Sequence, residues 1–323
     1  MSFFCTYFDH RYAEQGLAMI SSLTRFEKKA VVWVLALTEE CEALLHKIAL
    51  PSIQVVPLPV LLKKRPALEK VQNQRGPVEF YFTANPVFVR FCLEKIPKNQ
   101  LLTKVDSDLY FYQSPRPVFE RAQGHSVIIT PHRFPAALRD RERYGKFNTG
   151  WVSLRNNRAG MACARDWEQQ CLQWCHDRPE PKRYADQKYL DAWPKRHQGV
   201  RILKHPGANL ANWNVGEADL VWDGAKVWVN GQPLLFYHFS GLHRLADRVF
   251  DPQWHQYDLK PSSILIHRVY RPYLSALQEA RKSIGVTRES AESLRYGESG
   301  KKSNRPGFWK RWRRVLRGDY LGA

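Results

Sequence analysis

Apolar and polar positions come in alternating blocks along the first part of the chain. Ser2 to Phe8 is rich in aromatics and predicts a strand. Ala13 to Phe26 places Leu17, Ile20, Leu23 and Phe26 close to helical period. Ala30 to Leu37, AVVWVLAL, is apolar throughout, as in a parallel strand covered on both faces. Thr38 is placed to cap a helix over EECEALLHKIAL, Pro51 stops it, and Ile53 to Val56 predicts a third strand. Strand and helix in alternation predict an α/β fold.

Beyond this block, Lys63 to Pro77 is polar and basic and predicts a loop or short helix. Asn85 and Pro86 predict a helix start, with the helix over Val87 to Ile96. Leu101 to Val105, Val127 to Thr130, Trp151 to Leu154 and Leu234 to Phe239 predict strands, and Gly160 to His176 a long helix. LVWDGAKVWV, from Leu220, predicts a hairpin with an Asp-Gly turn. Ser262 to Ile284 predicts a helix interrupted at Pro272. The resulting layout is a domain over 1–260, a helix at 261–287 packed on it, a charged Ser- and Gly-rich linker at 288–305, and a tail at 306–323.

The strand before Tyr110 ends in two carboxylates, Asp106 and Asp108. If the chain is still extended there, both point to one face. Two converging carboxylates at the carboxyl end of a strand repel unless a cation sits between them, and oxygen ligands suit Mg²⁺ or Mn²⁺. The same spacing also fits a solvated turn. FYHFSGLHR, from Phe236, puts His238 in an apolar strand ahead of Gly241 and Arg244. Histidine there fits a core residue, while the glycine and arginine suit phosphate contact. KFNTGW, YADQKYL and HPGANLANWNVG are polar clusters that each fit ordinary turn or cap chemistry.

Composition adds a charge question. The 323 residues carry 50 Lys and Arg against 31 Asp and Glu, a net charge of +19. Such an excess asks for an anionic partner: nucleic acid, a membrane surface or a phosphorylated ligand. Lys301 to Ala323, with eight basic residues and one acid, is disproportionately basic, though the rest of the chain is basic too. As a helix, Phe308, Trp309, Trp312, Val315 and Leu316 share a face, with Arg313 and Arg314 among the basic residues around it. That pattern predicts an interfacial helix on anionic lipid, with a disordered basic tail as the alternative. A nucleic-acid arm needs no aromatic stripe and ranks lower. No apolar run reaches a membrane span and the N-terminus has no secretory pattern, so the expected location is cytoplasmic, peripheral on the inner face of the membrane. The six scattered cysteines predict ordinary thiols.

Taken in order, TYFDHRY, DSD, FNTG, DQ and HFSG resemble the nucleotide-sugar glycosyltransferases of the GT-A fold, and in layout glycosyltransferase family 8. The resemblance spans Ser2 to Arg244. It implies a Rossmann-like mixed sheet flanked by helices, here with a C-terminal helical basic tail. It implies a metal-dependent hexosyltransferase using Mn²⁺ or Mg²⁺ and a nucleotide-sugar donor such as a UDP-sugar. The acceptor is a glycan or lipid-linked glycan, the outcome retention, and the setting cell-surface polysaccharide synthesis such as lipopolysaccharide.

By the same resemblance, Asp106, Asp108 and His238 hold the metal, and Gly241 and Arg244 contact phosphate. Tyr7, Asp9, Tyr12, Arg90 and Ser107 hold the nucleotide, with Arg90 also bracing the aspartates. Asn148, Gly150 and Asn214 line the sugar or acceptor, and Asp186 and Gln187 the reacting centre. Trp309, Trp312, Arg313 and Arg314 dock the membrane. Arg244 stands where the family has Lys, and DHRY replaces its usual D-x-N-Y. Two alternatives remain: a basic nucleic-acid-binding protein, and a catalytically silent membrane-bound scaffold of this fold.

Overall fold

The computed structural model describes residues 1–285 and 320–322. The first block folds as its pattern predicts. Strands β1 (Ser2–Phe8), β2 (Ala30–Ala36) and β3 (Ile53–Pro57) run parallel, joined by helices α1 (Ala13–Phe26) and α2 (Glu39–Ile48). Asp9 caps the turn before α1, and the Thr38 hydroxyl accepts from the Cys41 N–H to cap α2. The basic stretch that follows forms two short helices, α3 (Leu58–Lys64) and α4 (Pro66–Gln72).

Helix α5 (Pro77–Leu93) corrects an expectation. It begins at Pro77 rather than at Asn85, and Pro86 lies inside it. Pro77 takes the first-turn position, where a missing N–H costs nothing. Pro86 is tolerated because Phe80, Ala84, Val87, Phe88 and Val89 around it are buried, so tertiary packing outweighs one lost hydrogen bond.

The chain then enters β4 (Leu101–Val105), beside β1, and leaves the main sheet for β5 (Leu109–Phe111). After α6 (Arg116–Glu120) come β6 (Val127–Pro131), β7 (Phe147–Arg155), α7 (Arg158–Gln173), α8 (Trp193–Arg196) and β8 (Val200–Ile202). The main sheet has the order β3-β2-β1-β4-β7-β6-β8, with β7 antiparallel to both neighbours. Strand β7 is longer than the expected Trp151–Leu154. It takes in the polar Asn148–Thr149 pair, with an irregularity in the pairing of β6 where Ile129 gives way to Thr130.

Side chains alternate across this sheet. Phe3 and Cys5 of β1 join the core under α5 and α7, while Phe4 and Phe8 join the core under α1. Trp151 and Trp167 are fully buried, and each such side chain contributes about 2–3 kcal/mol through burial.

Among the described residues, three small sheets accompany the main one. Strand β9 (Leu210–Ala211) lies beside β13 (Phe236–His238), which pairs with β5. The expected hairpin is β10 (Leu220–Trp222) and β11 (Val227–Val229), extended by β12 (Gln232–Pro233). Strand β14 (His243–Ala246) pairs with β15 (Val249–Asp251). Helix α9 (Arg271–Ile284) packs on α1, after a π-helical turn over Leu265–Tyr270 just ahead of Pro272. Leu321–Gly322 forms β16 and pairs with β15. The expected linker and the Trp- and Arg-rich helix, with Trp309, Trp312, Arg313 and Arg314, lie outside the described residues. No helix among the described residues is long and apolar enough to cross a membrane.

Candidate metal and donor site

Asp106 and Asp108 meet His238 because of one crossing. The main sheet ends at Val105, and Asp106–Ser107–Asp108 turns the chain into β5 of the small sheet. Their convergence therefore comes from a turn, not from the extended backbone expected. The turn is pinned at both ends. The Asp106 N–H donates to Gly150 O at 3.0 Å, and the Phe239 N–H donates to Asp108 O at 2.9 Å. Because His238 pairs with Leu109 in register, its ring sits over the turn. His238 Nε2 lies 3.1 Å from Asp108 Oδ1 and 3.8 Å from Asp106 Oδ2. One atom from each residue lies within 4.8 Å of the others. The histidine is buried, and the two carboxylates are about a fifth exposed, at 23% and 21%.

The other face of the ring fixes its protons. His238 Nδ1 lies 3.2 Å from Asn148 Oδ1 and 3.4 Å from Asn209 Oδ1. Both amides are oriented by backbone: Asn148 Oδ1 accepts from the Gly150 N–H, and Asn209 Nδ2 donates to Pro131 O. Two oxygens at Nδ1 require a proton there, which leaves Nε2 for the aspartates or for a metal. Burial alone would lower the His238 pKa, but Asp108 and then Asp106 outweigh it and raise it. Burial would raise the Asp108 pKa, and His238 outweighs that in turn and lowers it. These three side chains thus fit a divalent cation: two partly exposed carboxylates and one imidazole held in the coordinating tautomer.

Asn148 anchors a wider polar set. Its amide nitrogen reaches His132 Nε2 at 3.2 Å and Gln187 Oε1 at 3.3 Å. Burial, then the nearby His238, pushes the His132 pKa down to about 3, so its neutral ring serves as the acceptor. Gln187 Nε2 donates to Tyr144 O. Gly150 has no room for a side chain, since a Cβ would lie 2.5 Å from Asn148 Oδ1 and 2.7 Å from the His238 ring.

Asp186 is buried, accepting from Asn85 Nδ2 at 2.5 Å. Burial raises its pKa to about 6, against the lowering effect of Lys104 and Asn85. Tyr7 joins the same group: burial raises its pKa most, followed by Asp186 and Asp106. For Tyr12, burial and then Asp108 raise the pKa to about 12.

Several expected residues stand elsewhere. Asp9 is spent on capping, accepting from the Arg11 and Tyr12 N–H groups. Asn214 is absorbed by its own loop, bonding Ala211 N, His132 O and Asn209 O. Ser107 is half-buried within the turn. Gly241 occupies the exposed turn after β13 at φ +78°, where glycine is favoured. Arg90 pairs with Glu168 on α7 and with Glu94, so it does not brace the aspartates. Arg244 is not open to a phosphate. It pairs with the buried Glu14 of α1 at 2.5 Å, beside Arg281, and its guanidinium lies over Phe250.

Lys104 was not foreseen. It is 1% exposed, its ammonium pairs with Asp106, donates to Thr149 O at 2.9 Å and lies 5.4 Å from the Tyr7 ring centre. A lysine inside the apolar strand LLTKV was the visible signal, since buried lysine is rare unless paired.

Comparison with known proteins places the fold. The galactosyltransferase LgtC, solved with donor and acceptor sugar analogues, superposes with a TM-score of 0.51 over 90% of this chain and 99% of its own, at 12% identity. An active-site mutant of LgtC gives 0.52 over the same shares. This is the GT-A fold. Two uncharacterized proteins of Bacillus subtilis strain 168 are similar in sequence. YfnF is 29% identical over 74% of this chain and 81% of its own length, and YfnD is 29% identical over 81% and 84%. No family model matches the chain. The mixed sheet flanked by helices therefore agrees with the GT-A expectation.

Proposed function

We propose that the protein is a divalent-metal-dependent glycosyltransferase, moving a sugar from a nucleoside diphosphate to a glycan hydroxyl. The observation that carries this is the meeting of Asp106, Asp108 and His238 at the carboxyl end of β4. That meeting sits beside the buried Asp186 and the half-buried Gln187, on a fold shared with a galactosyltransferase solved with donor and acceptor analogues. Open α/β sheets bind ligands at this edge.

Each group has a task that its surroundings suit. Asp106 Oδ2, Asp108 and His238 Nε2 would hold Mn²⁺ or Mg²⁺, which when bound neutralises charge developing on the diphosphate. Tyr7 and Tyr12, beside the aspartates, present aromatic surface to the nucleotide or sugar. Gln187 and Asn148 position the sugar while tied to each other and to backbone, so their placement is set before the donor arrives. Asp186, the buried carboxyl, lies on the sugar side as an electrostatic partner or base. Retention, inferred from resemblance to family 8, needs no separate strong base, since the leaving phosphate oxygen can take the acceptor's proton. UDP-sugars are the first donors to test, and a lipid-linked glycan is the acceptor that a membrane-docking tail would favour. The location on the cytoplasmic membrane face is part of this proposal.

The test is hydrolysis of a panel of nucleotide sugars without acceptor, with Mn²⁺ and with chelator. The expected result is metal-dependent release of nucleoside diphosphate from one donor, and a roughly 1000-fold lower rate in Asp108→Ala. No hydrolysis of any donor, with Mn²⁺ and the diphosphates giving no thermal shift, would favour the silent-scaffold alternative. Salt-sensitive nucleic-acid binding that persists after removal of Lys301 to Ala323 would favour the nucleic-acid alternative.

A further inference from the structure

The buried Lys104 has no part in the scheme above, although it touches one of the proposed metal ligands, Asp106. Its ammonium occupies Asp106 Oδ1, leaving Oδ2 as the oxygen turned toward His238. It is anchored a second time on Thr149 O and backed by the Tyr7 ring, so it has little freedom to withdraw. Arg90, expected to brace the aspartates, is engaged by Glu168 and Glu94 instead. The cation at this turn thus comes from the strand and not from the helix.

We propose that Lys104 is a resident counter-cation that makes metal loading of Asp106, Asp108 and His238 depend on the donor diphosphate. The inference rests on the functional reading above. A dication approaching the free protein meets two carboxylates, one of them already half-claimed by an ammonium at close range. Repulsion from that fixed charge and loss of one oxygen both weaken binding of the metal alone. A diphosphate brings negative charge and further oxygen ligands, and it offsets both effects. Lys104 acts here through Asp106 and is a positioning residue.

The experiment titrates Mn²⁺ into the full chain, alone and with saturating UDP, following free Mn²⁺ by electron paramagnetic resonance. The wild type is expected to bind Mn²⁺ at least tenfold more tightly when UDP is present. Lys104→Met is expected to bind Mn²⁺ alone at least tenfold more tightly than the wild type, and to gain a melting-temperature rise on Mn²⁺ alone. Lys104→Arg is expected to restore the dependence on UDP. If the wild type binds Mn²⁺ alone as tightly as with UDP, the proposal is overturned, whatever the variants do. Equal affinity of the wild type and Lys104→Met for Mn²⁺ alone also overturns it, while leaving the metal site intact. If no Mn²⁺ binds even with UDP, the metal-dependent reading itself fails, and this inference with it.

Discussion

Asp106, Asp108 and His238 on one side, and Arg90 and Arg244 on the other, were assigned by the same resemblance and behave differently. The first three converge, with two carboxylates about a fifth exposed and the imidazole held in one tautomer. The two arginines are committed to carboxylates on other elements: Arg90 to Glu168 and Arg244 to Glu14. The difference lies in reach. Short side chains stay where their backbone puts them, so spacing and strand register decide their neighbours. A long guanidinium goes to the nearest buried carboxylate, and Glu14 is 230 positions from Arg244 in sequence. Spacing therefore locates a motif's backbone better than it locates the ends of its long side chains.

Three changes probe that contrast. The largest expected effect is on stability. Arg244→Met should cost roughly 3 kcal/mol, because it removes one of the two arginines facing the buried Glu14. Denaturant unfolding measures this, and Mn²⁺ affinity in the presence of UDP should stay within about twofold. A large loss of nucleotide binding with little loss of stability would return Arg244 to the phosphate site.

The second effect is on pH dependence. Asp186 has a pKa near 6, above the ordinary carboxylate value, so the native state binds its proton more tightly than the unfolded chain does. Ionising it thus costs folding free energy, and its unfavourable contribution grows as pH rises from about 4 through 6. Asp186→Asn should be more stable than the wild type by about 2–3 kcal/mol at pH 7, and no more stable at pH 4. Unfolding curves across that range check it, and an advantage independent of pH would contradict the assignment.

The third effect is the smallest. Gly150→Ala pushes a methyl against Asn148 Oδ1 and the His238 ring, so it should weaken Mn²⁺ binding in the presence of UDP roughly tenfold. Manganese titration reads it, and an unchanged affinity would show that the Asn148–His238 bond does not orient the ligand.

Much of the scaffold was legible because its signals are uniform. The apolar run of β2, the period of α1 and the Asp-Gly turn of the hairpin each have one local solution. The start of α5 was misplaced because two prolines competed for one role, and only burial along Phe80 to Val89 shows that Pro86 is tolerated inside the helix. At the site, Asp106, Asp108 and His238 were legible as types, but the turn that brings them together was not. Its cause is the transfer of the chain from β4 into a second sheet, a tertiary event. Asn209 and His132, which set the tautomer and the amide beside it, carry no spacing signal because their loops are unrelated in sequence. Lys104 was visible as a charge in an apolar strand, and its meaning came only with the Asp106 and Tyr7 contacts.

The central claim is that one divalent cation binds between the β4–β5 turn and β13. Anomalous diffraction at the manganese edge, from crystals soaked in Mn²⁺ and UDP, tests it most directly. The account predicts a single strong peak within coordination distance of Asp106 Oδ2, Asp108 and His238 Nε2, absent in Asp108→Ala crystals. A peak elsewhere on the protein, or none at these residues with UDP bound, would contradict it.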